Sequence, residues 1–282
     1  MSISPSSSAQ AARRVLAARL TELMRDAGLK GGELSARCGW HAAKTSRILN
    51  TRIGPSDSDI RAWCRACGAD DQAADLIASN RAADSLYVEW RRFTRSGLRQ
   101  AQEARVPLYV RTRQFRAYSS RVVPGALQTR EYAGALLRTV ADVRQTPDHV
   151  AQAVEARLAR SSVVFKGGRR LVAVIEESVL RYRIGGEEVM AGQLTHLLGV
   201  MSRPSVSLGI IPFTASRSMW PVETFNLFDD RQAGVELLSA QVTVTAPSDL
   251  ALYSQAFARF SALAVHGGAA RALIATAISD LG

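Results

Sequence analysis

Lys44, Ser46, Arg47 and Asn50 fall within one short stretch, at the end of a run from Gly31 to Asn50 (GGELSARCGWHAAKTSRILN) that has helical spacing on either side of a glycine. Side chains of these types suit a polyanion with readable edges. Arginine takes guanine bidentately, lysine neutralises a phosphate, and serine and asparagine bond base edges or backbone oxygens. The same run carries a scaffold for them. Ser35 is small where two helices would cross, and Gly39, four residues later, takes a positive φ at the turn without steric cost. Leu34 and Cys38 stand at i and i+4 of a first helix and Thr45 and Ile48 at i and i+3 of a second; with Trp40 they point inward. Ala42, Ala43, Lys44, Ser46, Arg47 and Asn50 are left on the outer face of the second helix. His41 stands at its start, to cap it or to face nucleic acid, and Lys30 and Arg52 flank the run as phosphate contacts. This is the layout of a helix-turn-helix whose second helix enters the major groove of duplex DNA. A plain helical hairpin with a basic face shares the spacing, so the flanking elements carry weight.

Other chemistry is weaker. Cys38-x2-His41 with Cys64-x2-Cys67 has the residue types of a zinc set. Cys38 and Cys64 nevertheless fall on inward helical positions, where cysteine serves as a small hydrophobe, so no metal is expected. Glu176 and Glu177 are adjacent and on a strand point to opposite faces, so they cannot act as one carboxylate pair. His149, His196 and His266 are scattered without ligand spacing. Gly167-Gly168 and Gly185-Gly186 read as turns rather than phosphate loops. No nucleophile elbow, Walker or Rossmann fingerprint occurs, and the expectation is a chain that is not an enzyme and holds no cofactor.

Several elements must position the outer face. Ala11 to Ala27 reads as an amphipathic helix with Val15, Leu16, Leu20, Leu23 and Met24 apolar, stopped by Gly28. Pro55-Ser56 marks a loop, after which Asp57 or Ser58 caps a helix over Asp59 to Cys67 that ends at Gly68. Residues 11–80 therefore form a bundle of four or five helices. Residues 1–10 (MSISPSSSAQ) are polar and read as a disordered leader without an apolar signal stretch. No run of 18 apolar residues occurs, and a cytoplasmic location is expected. Residues 81–105 read as a helical linker around a loop near Ser96-Gly97, with Leu86, Val88, Trp90 and Phe93 between arginines; Arg81, Arg91, Arg92, Arg95, Arg99 and Arg105 either add phosphate contacts or form a solvated face.

The 282-residue chain carries a net charge of +11, unevenly spread. Residues 1–120 hold 20 Lys and Arg against 11 Asp and Glu, +9; residues 121–282 hold 16 against 14, +2. Coding bias explains an excess of Arg over Lys, not this asymmetry, which is the footprint of a nucleic-acid-binding part joined to a near-neutral one. Residues 106–282 alternate strands and helices. Arg113 to Val123 reads as extended and Pro124-Gly125 as a turn. A helix follows from Gln128-Thr129, and another runs from Thr146-Pro147 to about Ser161. Leu171–Ile175, Val206–Phe213, Glu223–Phe228 and Val235–Ala246 read as strands. Glu187–Met201, Asp249–Val265 and Ala269–Leu281 read as helices. The expected fold is multidomain: an N-terminal all-α helix-turn-helix bundle and a C-terminal mixed α/β (α+β) domain.

With both parts read, residues 13–80 resemble the lambda-repressor-like (Xre-type) DNA-binding domain. Residues from about 106 onward resemble the uncharacterised C-terminal domain of many actinomycete regulators of that type. The carrying residues are Val123 to Thr129 (VPGALQT) with Tyr132 and Ala133, Val174 to Glu177 with Leu180, Gly185 to Leu194, Val206 to Phe213, Phe225 to Phe228, Phe260 to Leu263 and Ala272 to Ile274. The resemblance implies a transcriptional regulator of antitoxin-like or developmental type. It would be a homodimer on an inverted repeat of double-stranded DNA, modulated through its C-terminal domain by a small partner protein or a ligand. Trp220, Phe225, Phe228, Tyr253 and Phe257 are the aromatics that would hold such a ligand or partner, or else build a core and dimer face. The chain departs from the family pattern at Gly31, Gly32, Ala42 and Ala43, where polar residues are usual. That motivates a second reading, a protein–protein regulator whose DNA-reading surface has decayed.

Overall fold

The computed structural model describes residues 5–82, 87–89, 98–144, 149–238 and 240–281. The chain divides into two compact units, Met1–Tyr87 with Thr243–Leu250, and Val88–Val242 with Ala251–Gly282.

The first unit is helical: α1 (Pro5–Asp26), α2 (Gly31–Cys38), α3 (Ala42–Leu49), α4 (Asp57–Cys67) and α5 (Ala73–Ala82). Apolar residues at helical spacing supply its core, with Leu16, Leu20 and Leu23 of α1 buried against Leu34, Ile48, Ile60, Trp63 and Cys64. Each fully buried aliphatic side chain contributes roughly 1.5–3 kcal/mol. Trp63 is fully buried and satisfies its indole N–H on the Leu20 carbonyl at 3.1 Å. α1 starts at Pro5, inside the segment expected as a leader. α4 starts two residues earlier than expected and is capped by Ser56 rather than by Asp57 or Ser58. Ser56 accepts from the Asp59 amide and Asp59 accepts from the Ser56 amide, a reciprocal box that a cap at Asp57 could not make.

The second unit is built on a mixed sheet. Its strands are β2 (Gln114–Ser119), β3 (Arg170–Glu176), β4 (Val206–Ile211), β5 (Phe225–Phe228) and β6 (Gln232–Glu236), while β1 (Tyr87–Glu89) and β7 (Ala240–Val244) fall where the chain passes from one unit to the other. They lie in the order β1-β7-β6-β5-β2-β3-β4. β2, β3 and β4 run parallel, whereas β5 is antiparallel to both β2 and β6. Parallel neighbours require crossovers. The helices α6 (Leu98–Glu103) and α7 (Val106–Arg111) precede β2, α8 (Arg130–Arg144) and α9 (Val150–Ser162) join β2 to β3, and α10 (Glu187–Val200) joins β3 to β4. α11 (Pro247–Leu263) and α12 (Gly267–Ser279) complete the chain. Leu171, Ala173, Ile175, Leu208 and Ile210 pack with Met190, Leu194, Leu197 and Ile274 in one core. β3, the middle of the three parallel strands, is buried over most of its length, as a doubly covered parallel strand must be.

Tyr87–Glu89 is a strand where a helical linker was expected, and Val106–Arg111 is a helix at the expected domain start. Leu86, Trp90, Arg91, Arg92, Phe93, Arg95, Ser96-Gly97 and Thr146-Pro147 lie outside the described residues. The single strand expected over Val235–Ala246 is two: the ladder ends at Glu236 and resumes at Ala240, with Leu237 and Leu238 exposed between. The aromatics divide. Phe225, Phe228 and Phe257 are buried in the core, Phe225 against Tyr253 at 5.0 Å, while Trp220 is exposed. Among the described residues no helix is long and apolar enough to cross a membrane.

Candidate nucleic-acid interface

α2 and α3 cross at Ser35, which is buried and lies 2.6 Å by its Oγ from Thr45 Oγ1. Trp40 donates its indole N–H to the same Thr45 oxygen at 2.8 Å. Three side chains from both helices and the turn therefore share one buried polar node, and it fixes the angle at which α3 is presented. The turn itself closes on Gly39 at φ 70°. Its N–H reaches the Ala36 carbonyl and the Trp40 N–H reaches that of Ser35, a Schellman ending. α1 and α4 end the same way on Gly28 and Gly68. α3 uses the identical bonds, Thr51 to Ile48 and Arg52 to Arg47, yet the left-handed residue is Thr51 at φ 55°. A β-branched residue there is strained.

The outward face of α3 is formed by Ala42, Ala43, Ser46, Arg47 and Asn50, all exposed. Arg47 donates through Nε to the Ala43 carbonyl at 3.2 Å, and Asn50 donates through Nδ2 to that of Ser46 at 2.8 Å. Both side chains are laid along their own helix with their remaining polar atoms toward solvent. Lys30 and Arg52 are exposed at the two ends of the motif. Lys30 is the residue before α2, where its amide is held by the Glu33 carboxylate at 2.7 Å. His41 is the exposed residue before α3 and makes no side-chain cap bond.

Lys44 departs from expectation. Its Nζ lies 2.6 Å from Asp59 Oδ1 and 4.6 Å from the centroid of the Trp40 ring. It is tied back to α4, not offered to a groove. Asp59 is the residue whose role was not foreseen: it closes the α4 capping box with one oxygen and holds Lys44 with the other. Burial alone would raise the Asp59 pKa; the Lys44 ammonium and the two Ser56 bonds outweigh it and hold the carboxyl below its ordinary value.

Cys38 and Cys64 sit in the bundle as small hydrophobes. Burial, reinforced by Cys67 and nearby carboxylates, raises both thiols to about 11. Among the described residues no group of three His, Cys, Asp or Glu is placed to hold a metal ion. Glu176 and Glu177 are separately engaged: Glu176 accepts from Tyr118 at 2.8 Å and pairs with Arg217, while Glu177 accepts the Phe213 amide at 2.9 Å and pairs with Arg181.

In the second unit, Val123 to Thr129 forms a hydrogen-bonded corner. The Val123 amide donates to Tyr132 Oη at 3.2 Å and its carbonyl accepts from Gln128 at 2.7 Å. Fully buried Gln193 bonds both the Thr129 amide and the Leu127 carbonyl at 2.8 Å. These residues are held by each other.

Comparison with family models matches residues 15–77 to a helix-turn-helix domain and residues 109–276 to a domain of unknown function (DUF5753). No curated protein and no solved structure matches the chain.

Proposed function

Since the chain belongs to the DUF5753 family and carries a helix-turn-helix domain ahead of that family's domain, we propose that it is a sequence-specific DNA-binding transcriptional regulator. The observation that carries the reading is the geometry of α3, set by the Ser35–Thr45–Trp40 node and exposing Ser46, Arg47 and Asn50 together. Lys30 and Arg52 flank that face as phosphate contacts, with His41, Ala42 and Ala43 at its leading end. In this reading the protein is of Xre type, acts as a homodimer on an inverted repeat, and is a cytoplasmic, non-catalytic regulator of the antitoxin-like kind known from actinomycetes. Its C-terminal domain takes the modulating input, a small partner protein or ligand.

The test separates reading from scaffolding. Arg47→Ala weakens binding to the protein's own promoter fragment by about tenfold or more, the 1–3 kcal/mol of a bidentate base contact, and leaves the unfolding midpoint unchanged. Lys44→Ala does the reverse, losing stability with a smaller loss of affinity. Unchanged binding by Arg47→Ala sinks the assignment of this face. The second reading, a protein–protein regulator, is favoured by the exposed methyl groups of Ala42 and Ala43 and by the withdrawal of Lys44. Genome-wide DNA capture decides between them: enrichment of a shared inverted repeat excludes it, and no enrichment supports it.

A further inference from the structure

The second unit holds a part-open cavity of about 320 Å³, lined by β2, β5, residues of α6 to α9 and the Val123–Gln128 corner. That volume lies in the range of small-ligand pockets. Arg105, Arg116, Arg121, Arg144, Arg157 and Arg160 line it, against one carboxylate, Glu236, among the described lining residues. Glu236 takes Arg105 at 2.8 Å and is itself half exposed. Arg160 is 3% exposed, and its guanidinium lies 4.7 Å from the Tyr109 ring centroid. Its Nε and Nη1, and the Nε of Arg105, are buried without a hydrogen-bond partner among the described residues. Arg157 gives Nη1 to Gln128 at 2.7 Å, which ties the cationic group to the family's corner.

Arg116 is met by Asp230 and Arg105 by Glu236, but the buried Arg160 guanidinium is unfavourable as it stands. A guanidinium cannot readily shed its proton, and a buried charge or orphaned donor is costly unless met by a partner. Burial and then the Arg160 charge pull Arg157 down to about 10. A carboxylate or phosphate oxygen would satisfy the free donors by charge-assisted bonds, for which the arginine fork is suited. Leu98, Leu136, Leu171 and Phe228 give the rest of the wall an apolar character.

We propose that this cavity binds a small ligand with an anionic head, carboxylate or phosphate, and an apolar body, and that this ligand is the input of the C-terminal domain. The inference rests on the regulatory reading of that domain. Isothermal titration calorimetry on the full chain without DNA tests it, with phenyl phosphate and benzoate as probes and benzyl alcohol as the neutral control. At least one anion binds saturably and more weakly as salt rises, and the alcohol binds at least tenfold more weakly; the stronger of the two anions identifies the head group. Arg160→Met and Arg157→Gln each weaken binding roughly tenfold or more. Should either variant fail to fold, hydrogen exchange on the wild type decides: the bound anion slows exchange in Val123–Gln128 and α9. No saturable binding by either anion, binding that both folded variants retain, or unchanged exchange at the cavity overturns the site. Anion binding in a protein that shifts no DNA keeps the site and overturns the regulatory reading, so the two failures are distinguishable.

Discussion

At the scale of single residues, Asp59 ties more of the helix-turn-helix together than any side chain on the exposed face of α3. Its folded pKa lies below the ordinary value, so its stabilisation is present above about pH 4 and is lost as pH falls through the depressed value. Asp59→Asn therefore lowers stability at neutral pH, by about 1 kcal/mol as for other cap losses, and flattens the decline on the acid side. Denaturant titrations from pH 7 to pH 3, followed by tryptophan fluorescence, check both; an acid limb as steep as the wild type's would refute the assignment. Thr51 makes the opposite case. It occupies a left-handed position filled by glycine at the ends of α1, α2 and α4, so Thr51→Gly raises the unfolding free energy, by up to about 1–2 kcal/mol. A lowered midpoint would mean that the Thr51 side chain supplies more than its backbone strain removes.

At the scale of elements, legibility followed the range of the forces. Leu34, Ser35, Gly39, Thr45 and Ile48 were readable because helical spacing and a left-handed turn are local properties. The inward turn of Lys44 was not, because its partner stands fifteen residues away on another helix. Residues 235–246 alternate enough to read as one strand, but Leu237 and Leu238 interrupt the ladder and line a cavity that no local pattern encodes. The cavity arginines left one usable trace: buried Arg160 lies seven residues from buried Ala153, and part-buried Arg157 three from buried Val154, so both fall toward the inward stripe of α9. A guanidinium on such a stripe signals a polar interior. Gly209 on β4 shows a constraint visible only in three dimensions. A Cβ there would lie 2.6 Å from His266 Cε1 and 2.9 Å from the Ala264 Cβ. Gly209→Ala accordingly destabilises the second unit by roughly 1–3 kcal/mol, the usual range for overpacking, read by its thermal midpoint. A neutral result would show that the segment after α11 can shift aside.

At the scale of the whole molecule, the two units hold separate cores. The buried apolar residues of the first run from Leu16 to Ile77. A fragment of residues 1–82 is therefore expected to unfold cooperatively on its own. Its thermal transition should lie close to one seen in the full chain, and a fragment without cooperative unfolding would show that its core depends on the rest.

The eight residues of α3 also set a limit on addressing. A helix of that length spans about 12 Å, the rise of three or four base pairs at about 3.4 Å each. At two bits per pair, one copy of the proposed regulator would specify on the order of 7 bits of address through base contacts in the major groove. Singling out one site among about a million competitors takes roughly 20 bits. Under the proposed reading, two copies on an inverted repeat would double the supply and still leave a deficit, which DNA deformability, flanking contacts or a neighbouring pair of sites would have to make up.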